Sequence, residues 1–169
     1  MSLAADVAVA VRALAPNASG VVGMSLGGVT SIGLTAVAPE LVRSLTLVDI
    51  TPGVDKDKAK AITAFVNGPK PFPSFADILA RTIEHNPTRT VESLRRGILH
   101  NAVQLDDGSW MWRYRRWDAP PVADGAPVDR HPEFGSLWDV LGAVAVPVML
   151  VRGMRPQSVV DDDDEAELL

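Results

Sequence analysis

The sequence predicts an α/β fold, a parallel sheet covered by helices and interrupted by an inserted, mainly helical segment. Three observations predict it. Short, nearly continuous apolar runs at Ser19–Gly23, Arg43–Ile50 ("RSLTLVDI") and Val146–Gly153 ("VPVMLVRG") have the composition of strands buried on both faces. Helical patterns alternate with them, as a parallel sheet requires. The pattern changes at Asp55 and returns near residue 134, which predicts a core of 1–54 and 134–169 and an insertion of 55–133.

Taken in order, Ser2 is placed to cap a helix over about Leu3–Leu14, with Leu3, Val7, Val11 and Leu14 on one face and Pro16-Asn17 ending it. After the strand at Ser19–Gly23, a helix is expected from Leu26 to Val37. Pro39 follows where the helix cannot continue. The next strand, Arg43–Ile50, stops at Thr51-Pro52-Gly53. The insertion opens on the charged pattern "DKDKAKAITAFV" and a Pro-rich loop, followed by helices over Ser74–His85 and from about Pro87. "AVQLDDGSWMWRY" has the form of a hairpin turning at Asp107-Gly108. A helix at Ser136–Gly142, the strand Val146–Gly153 and an acidic helix start at "DDDDEAELL" complete the pattern.

Composition narrows the function. The 169 residues carry a formal net charge of −5, which argues against a general nucleic-acid or anionic-membrane binder. There is no cysteine, so disulfides, thiolate metal sites and a cysteine nucleophile are excluded, and a cytoplasmic location is expected. No apolar run reaches the roughly 18 residues of a membrane span. Three scattered histidines make no metal cluster.

The chemistry concentrates at "VVGMSLGG". Gly23-Met24-Ser25-Leu26-Gly27 matches G-x-S-x-G and stands directly between a strand and a helix, the context that a nucleophile elbow requires. A sharp turn there exposes the Ser25 hydroxyl, and Gly23 and Gly27 are expected to leave room where side chains would collide with backbone. The Leu26 N–H, in the first helical turn, is free to stabilise an oxyanion. A tight βα turn that uses small residues only for packing is the structural alternative.

With "APELVRSLTLVDITPG" and "VPVMLVRG" added, the chain resembles the α/β-hydrolase fold superfamily, and within it the capped branch of esterases, epoxide hydrolases, haloalkane dehalogenases and C–C bond hydrolases. The resemblance implies Ser25 as nucleophile, which points away from the branches with a carboxylate nucleophile. It implies a small-molecule acyl substrate, with Met24, Trp110 and Trp112 as pocket candidates, and no cofactor. It also implies an acid after one of the strands that follow the elbow. Asp49 is the better candidate; its alternative is to hold the Thr51-Pro52-Gly53 turn. Asp161–Asp164 read more simply as helix caps. The family's base lies in a loop after a final strand, whereas His85 and His100 fall in the insertion and His131 precedes the last strand seen here. The expectation is therefore a central piece of a longer hydrolase, a partial sheet with an exposed edge available for self-association. The rival reading is a catalytically incomplete fragment or a non-catalytic interaction protein.

Trp110, Trp112 and Tyr114 alternate along the hairpin, near Trp117. They read either as an aromatic substrate wall or as packing within the insertion. Arg113, Arg115 and Arg116 interleave with them without making a nucleic-acid stripe, given the acidic balance. Arg95-Arg96, Lys56 and Lys58 read as solvated helix faces.

Overall fold

A computed structural model describes residues 3–54, 57–60, 62, 65, 71–113, 134–156 and 158–169. The chain divides into two compact units, Met1–Ala59 with Arg130–Leu169, and Lys60–Asp129.

The first unit is built on three short parallel strands, β1 (Val21–Met24), β2 (Leu45–Val48) and β5 (Val148–Val151), in the order β1-β2-β5. The register aligns Met24 with Val48 and Val48 with Val151, so the strands end level. Each is shorter than its apolar run, and the Asp49 N–H still bonds the Val151 carbonyl at 2.8 Å. The helices α1 (Leu3–Leu14), α2 (Leu26–Val37), α5 (Leu137–Gly142) and α6 (Asp162–Leu168) belong to this unit. α2 has the expected bounds, because Ser25 and Pro39 punctuate it on either side. Its Ile32 and Leu34 join Leu45, Leu47 and Ile50 in the core.

The face of α1 differs from expectation. Ala4 and Ala8 are buried, flanked by the partly buried Val7 and Val11, while Leu3 and Leu14 are 55% and 84% exposed. The cause is the close approach of α1 to α2. A Cβ on Gly33 would stand 3.2 Å from the Ala4 Cβ, so the contact line admits only small side chains.

The acidic start of α6 is a cap. Asp161 accepts the Asp164 N–H at 2.9 Å, and Asp164 accepts the Asp161 N–H at 3.2 Å, a reciprocal capping box. Lys58, expected on a solvated face, instead reaches Asp161 at 2.8 Å and Asp164 at 3.0 Å. Its charge neutralises two carboxylates at a point where like charges would otherwise repel.

The second unit contains α3 (Phe75–His85), α4 (Val91–Asn101) and the antiparallel hairpin of β3 (Ala102–Gln104) and β4 (Trp110–Trp112). Ser74 and Thr90 cap the two helices by accepting the Asp77 and Ser93 N–H groups, so α4 begins after Thr90 rather than at Pro87. Gly108, at φ +84°, makes the hairpin turn, and the Asp107 carboxylate accepts the Ser109 N–H at 2.9 Å. Phe72, Ile78, Ile98, Ala102 and Trp112 form this unit's core. Of the helix expected over 55–66, Lys60, Ile62 and Phe65 are helical, and six of its other positions lie outside the described residues. Tyr114, Arg115, Arg116, Trp117 and His131 also lie outside them.

Candidate active site

The C-terminal edge of the sheet carries two strained residues. Ser25 has φ +52° and Asp49 has φ +49°, and they are the two non-glycine residues with positive φ among those described. Each stands one position beyond the paired residues Met24 and Val48, so they leave adjacent strands at the same level. A left-handed conformation costs a side-chain-bearing residue about 1–3 kcal/mol and persists where surrounding structure imposes it.

For Ser25 the constraint is the turn from β1 directly into α2. Its carbonyl accepts the Gly28 N–H at 2.9 Å and the Val29 N–H at 3.2 Å, which starts the helix. Its side chain makes no cap bond and has no partner among the described residues, and the residue is exposed. The Leu26 N–H also has no acceptor among the described residues, as befits the first position of a helix. A hydroxyl and a helix-end N–H thus stand beside each other with their bonding capacity unused.

The glycines differ in role from the expectation. A Cβ at Gly23 would lie 2.6 Å from the Gly28 Cα and 2.7 Å from the Gly27 carbonyl oxygen, so this glycine is sterically required. At Gly27 a Cβ would meet nothing within 4 Å. The second crowded position is Gly28, where a Cβ would lie 2.3 Å from the Ile50 Cγ2 and 3.1 Å from the Gly23 carbonyl oxygen. The crossing of β1 and α2 therefore uses Gly23 and Gly28, and the steric reason offered for Gly27 fails.

Asp49 does not hold the turn after it. That turn is closed by Thr51, whose hydroxyl oxygen accepts the Gly53 N–H at 3.2 Å. The Asp49 carboxylate reaches across to the loop after β5 instead. There its Oδ1 accepts the Gly153 N–H at 2.9 Å and the Ser158 hydroxyl at 2.5 Å. No described residue occupies Oδ2. Sequence reasoning missed Ser158, since only the pairing of β2 with β5 brings the two residues together, 109 positions apart.

Asp161 is engaged by Lys58 and by the α6 cap, and the Lys58 ammonium with the Asp164 N–H lowers its pKa from 3.8 to about 2. Met24 ends β1 beside Ser25 and is 68% exposed. Trp112 is buried in the core of the second unit against Phe65 and Phe72, and Trp110 packs edge-on to Phe75. Both tryptophans pack within the second unit. His85 and His100 belong to the second unit, with the His85 Nδ1 3.1 Å from the Arg81 carbonyl. No group of three His, Cys, Asp or Glu among the described residues is gathered for a metal ion. A cavity of about 420 Å³ lined by Thr35, Pro39, Val42, Val140, Ala143 and Val146 lies by the N-terminal ends of β2 and β5. That is the end of the sheet opposite Ser25.

Comparison with known proteins bears on this arrangement. Esterase Rv0045c of Mycobacterium tuberculosis is 44% identical over 163 residues, 93% of this chain and 51% of its own length. Its crystal structure superposes with a TM-score of 0.72 at 43% identity, covering 98% of this chain and 53% of that one. The 2-(acetamidomethylene)succinate hydrolase of Mesorhizobium japonicum is 32% identical over 152 residues, 88% of this chain and 51% of its own. A crystal structure of E-2-(acetamidomethylene)succinate hydrolase matches at a TM-score of 0.72 and 25% identity, over 98% of this chain and 59% of that one. The chain belongs to the α/β-hydrolase fold superfamily. No family model matches it. A third relative by sequence, the 3-hydroxybutyrate-oligomer hydrolase of Cupriavidus necator, is 30% identical over 140 residues, 79% of this chain and 47% of its own. The chain spans about half the length of the curated relatives it matches. No described helix is long and apolar enough to cross a membrane.

Proposed function

We propose that the chain carries the nucleophile and acid of a serine-dependent hydrolase acting on an ester-like or other acyl substrate. The observation that carries this is Ser25, held at φ +52° between β1 and α2 with its hydroxyl unengaged among the described residues. Its Oγ attacks the acyl carbon, and the oxygen that gains charge receives the Leu26 N–H at the positive end of α2. Asp49, with Oδ1 tied down and Oδ2 available, orients a histidine base that takes the serine proton and returns it to the leaving group. Met24, exposed beside Ser25, borders the acyl group. The names of the relatives, an esterase and two further hydrolases, support the same class.

The test is hydrolysis of p-nitrophenyl butyrate. Ser25→Ala lowers kcat by about 10⁴-fold or more, and Asp49→Asn lowers it by about 10²–10⁴-fold, in proteins whose circular dichroism is unchanged. Turnover that survives Ser25→Ala refutes the assignment.

The second reading, a catalytically incomplete or non-catalytic interaction protein, has an observation of its own. The described residues leave the outer edges of β1 and β5 without a strand partner, and Val22, Met24, Met149 and Val151, which the register places on one face of the sheet, are exposed. A folded chain without Ser25-dependent turnover that self-associates through these edges would favour it.

A further inference from the structure

We propose that Ser158 is a positioning residue for Asp49, which rests on the reading of Ser25 and Asp49 given above. Ser158 lies in the loop between β5 and α6, and the next two residues, Val159 and Val160, are buried in the core of the first unit. They fix its backbone, and the Ser158 N–H closes a turn on the Arg155 carbonyl at 2.9 Å. The side chain is fixed from both sides. Its oxygen accepts the Val160 N–H at 3.1 Å. Its single proton has two acceptors in range, the Val160 carbonyl at 3.1 Å and the Asp49 Oδ1 at 2.5 Å. The nearer and charged acceptor takes it, because hydrogen bonds to carboxylate are the shorter and stronger ones.

The consequence falls on the rotation of the Asp49 carboxylate. One donor leaves a carboxylate free to turn about its χ2; two donors on one oxygen, from separate points of the loop, define its plane. The Gly153 N–H supplies the first donor and Ser158 the second. Gly153 also leaves the space, since a Cβ there would stand 2.9 and 3.0 Å from the two carboxylate oxygens. With Oδ1 so held, the direction in which Oδ2 presents itself to a base is set by Ser158. Orientation of the base acts in the chemical step and not in substrate binding.

The experiment compares wild type, Ser158→Ala, Ser158→Thr and Ser25→Ala in steady-state hydrolysis of p-nitrophenyl butyrate, with circular dichroism on each. Ser158→Ala is expected to lower kcat about tenfold with KM within about twofold, as loss of one charge-assisted hydrogen bond would. Ser158→Thr, which keeps the hydroxyl, is expected to recover kcat to within about threefold of wild type. A Ser158→Ala enzyme with wild-type kcat overturns the inference while leaving the Ser25 assignment intact. So does an equal loss in Ser158→Ala and Ser158→Thr, or a loss confined to KM. A wild type without Ser25-dependent turnover overturns the reading itself, and the inference with it.

Discussion

Gly23 and Gly27 flank the same serine and respond oppositely to the same methyl group. At Gly23 the added Cβ meets two backbone atoms of the first turn of α2, at 2.6 and 2.7 Å, and backbone at a strand-helix crossing cannot give way. Gly23→Ala should therefore destabilise the chain by about 2–4 kcal/mol in urea unfolding. Gly27 lies in the first turn of α2 with open space around it, so Gly27→Ala should be neutral or stabilising by up to about 1 kcal/mol. Equal losses at both positions would contradict this account of the elbow. The serine itself was legible because G-x-S-x-G stood between a strand pattern and a helix pattern, both local signals. Which glycine the crossing needs was not legible. That depends on Ile50, 22 positions from Gly28, and on how closely α2 lies across β1.

Elements followed the same division between near and far. α2 and the Asp107-Gly108 hairpin match their sequence patterns because capping, proline placement and the left-handed glycine act within a few residues. The buried face of α1 was misjudged because apolar size does not report how close the partner helix comes. α6 shows the same limit: its capping box could be read locally, its cation could not. Lys58 arrives from 103 residues upstream of Asp161 and reaches both carboxylates of the box. Burial opposes the Lys58 charge, and the hydrogen bonds to Asp161 and Asp164 outweigh it and raise its pKa. Asp161 is depressed from 3.8 to about 2, so its contribution to stability is present above pH 3.8 and is lost as pH falls towards 2. Thermal unfolding should show Lys58→Ala less stable than wild type at pH 7, with the two curves converging between about pH 4 and 2. A difference that stays constant through that range would mean that the pair does not stabilise α6.

For the molecule as a whole, the unusual feature is a three-stranded sheet with unpaired outer edges among the described residues. Val22 in β1 is 72% exposed and Met149 in β5 is 56% exposed, where side chains in a sheet of this class are ordinarily covered. The chain should therefore self-associate, sedimenting above its monomer mass of 18.0 kDa at tens of micromolar. Val22→Lys with Met149→Lys should shift it towards monomer. A wild type that sediments as monomer at every concentration would show that neither this exposed face nor the unpaired edges are adhesive. The parallel order of the sheet was legible from three apolar runs and the helices between them. The exposed face of Val22 and Met149 was not legible, because apolar runs of this kind predict strands buried on both faces.

The claim on which all three scales converge is that the elbow presents Ser25 as an activated nucleophile. Intact-mass analysis after treatment with a fluorophosphonate probe tests it most directly, with Ser25→Ala as the control. The account predicts one adduct per chain, absent in Ser25→Ala. A folded chain that takes up no probe, or an adduct that persists in Ser25→Ala, would contradict it.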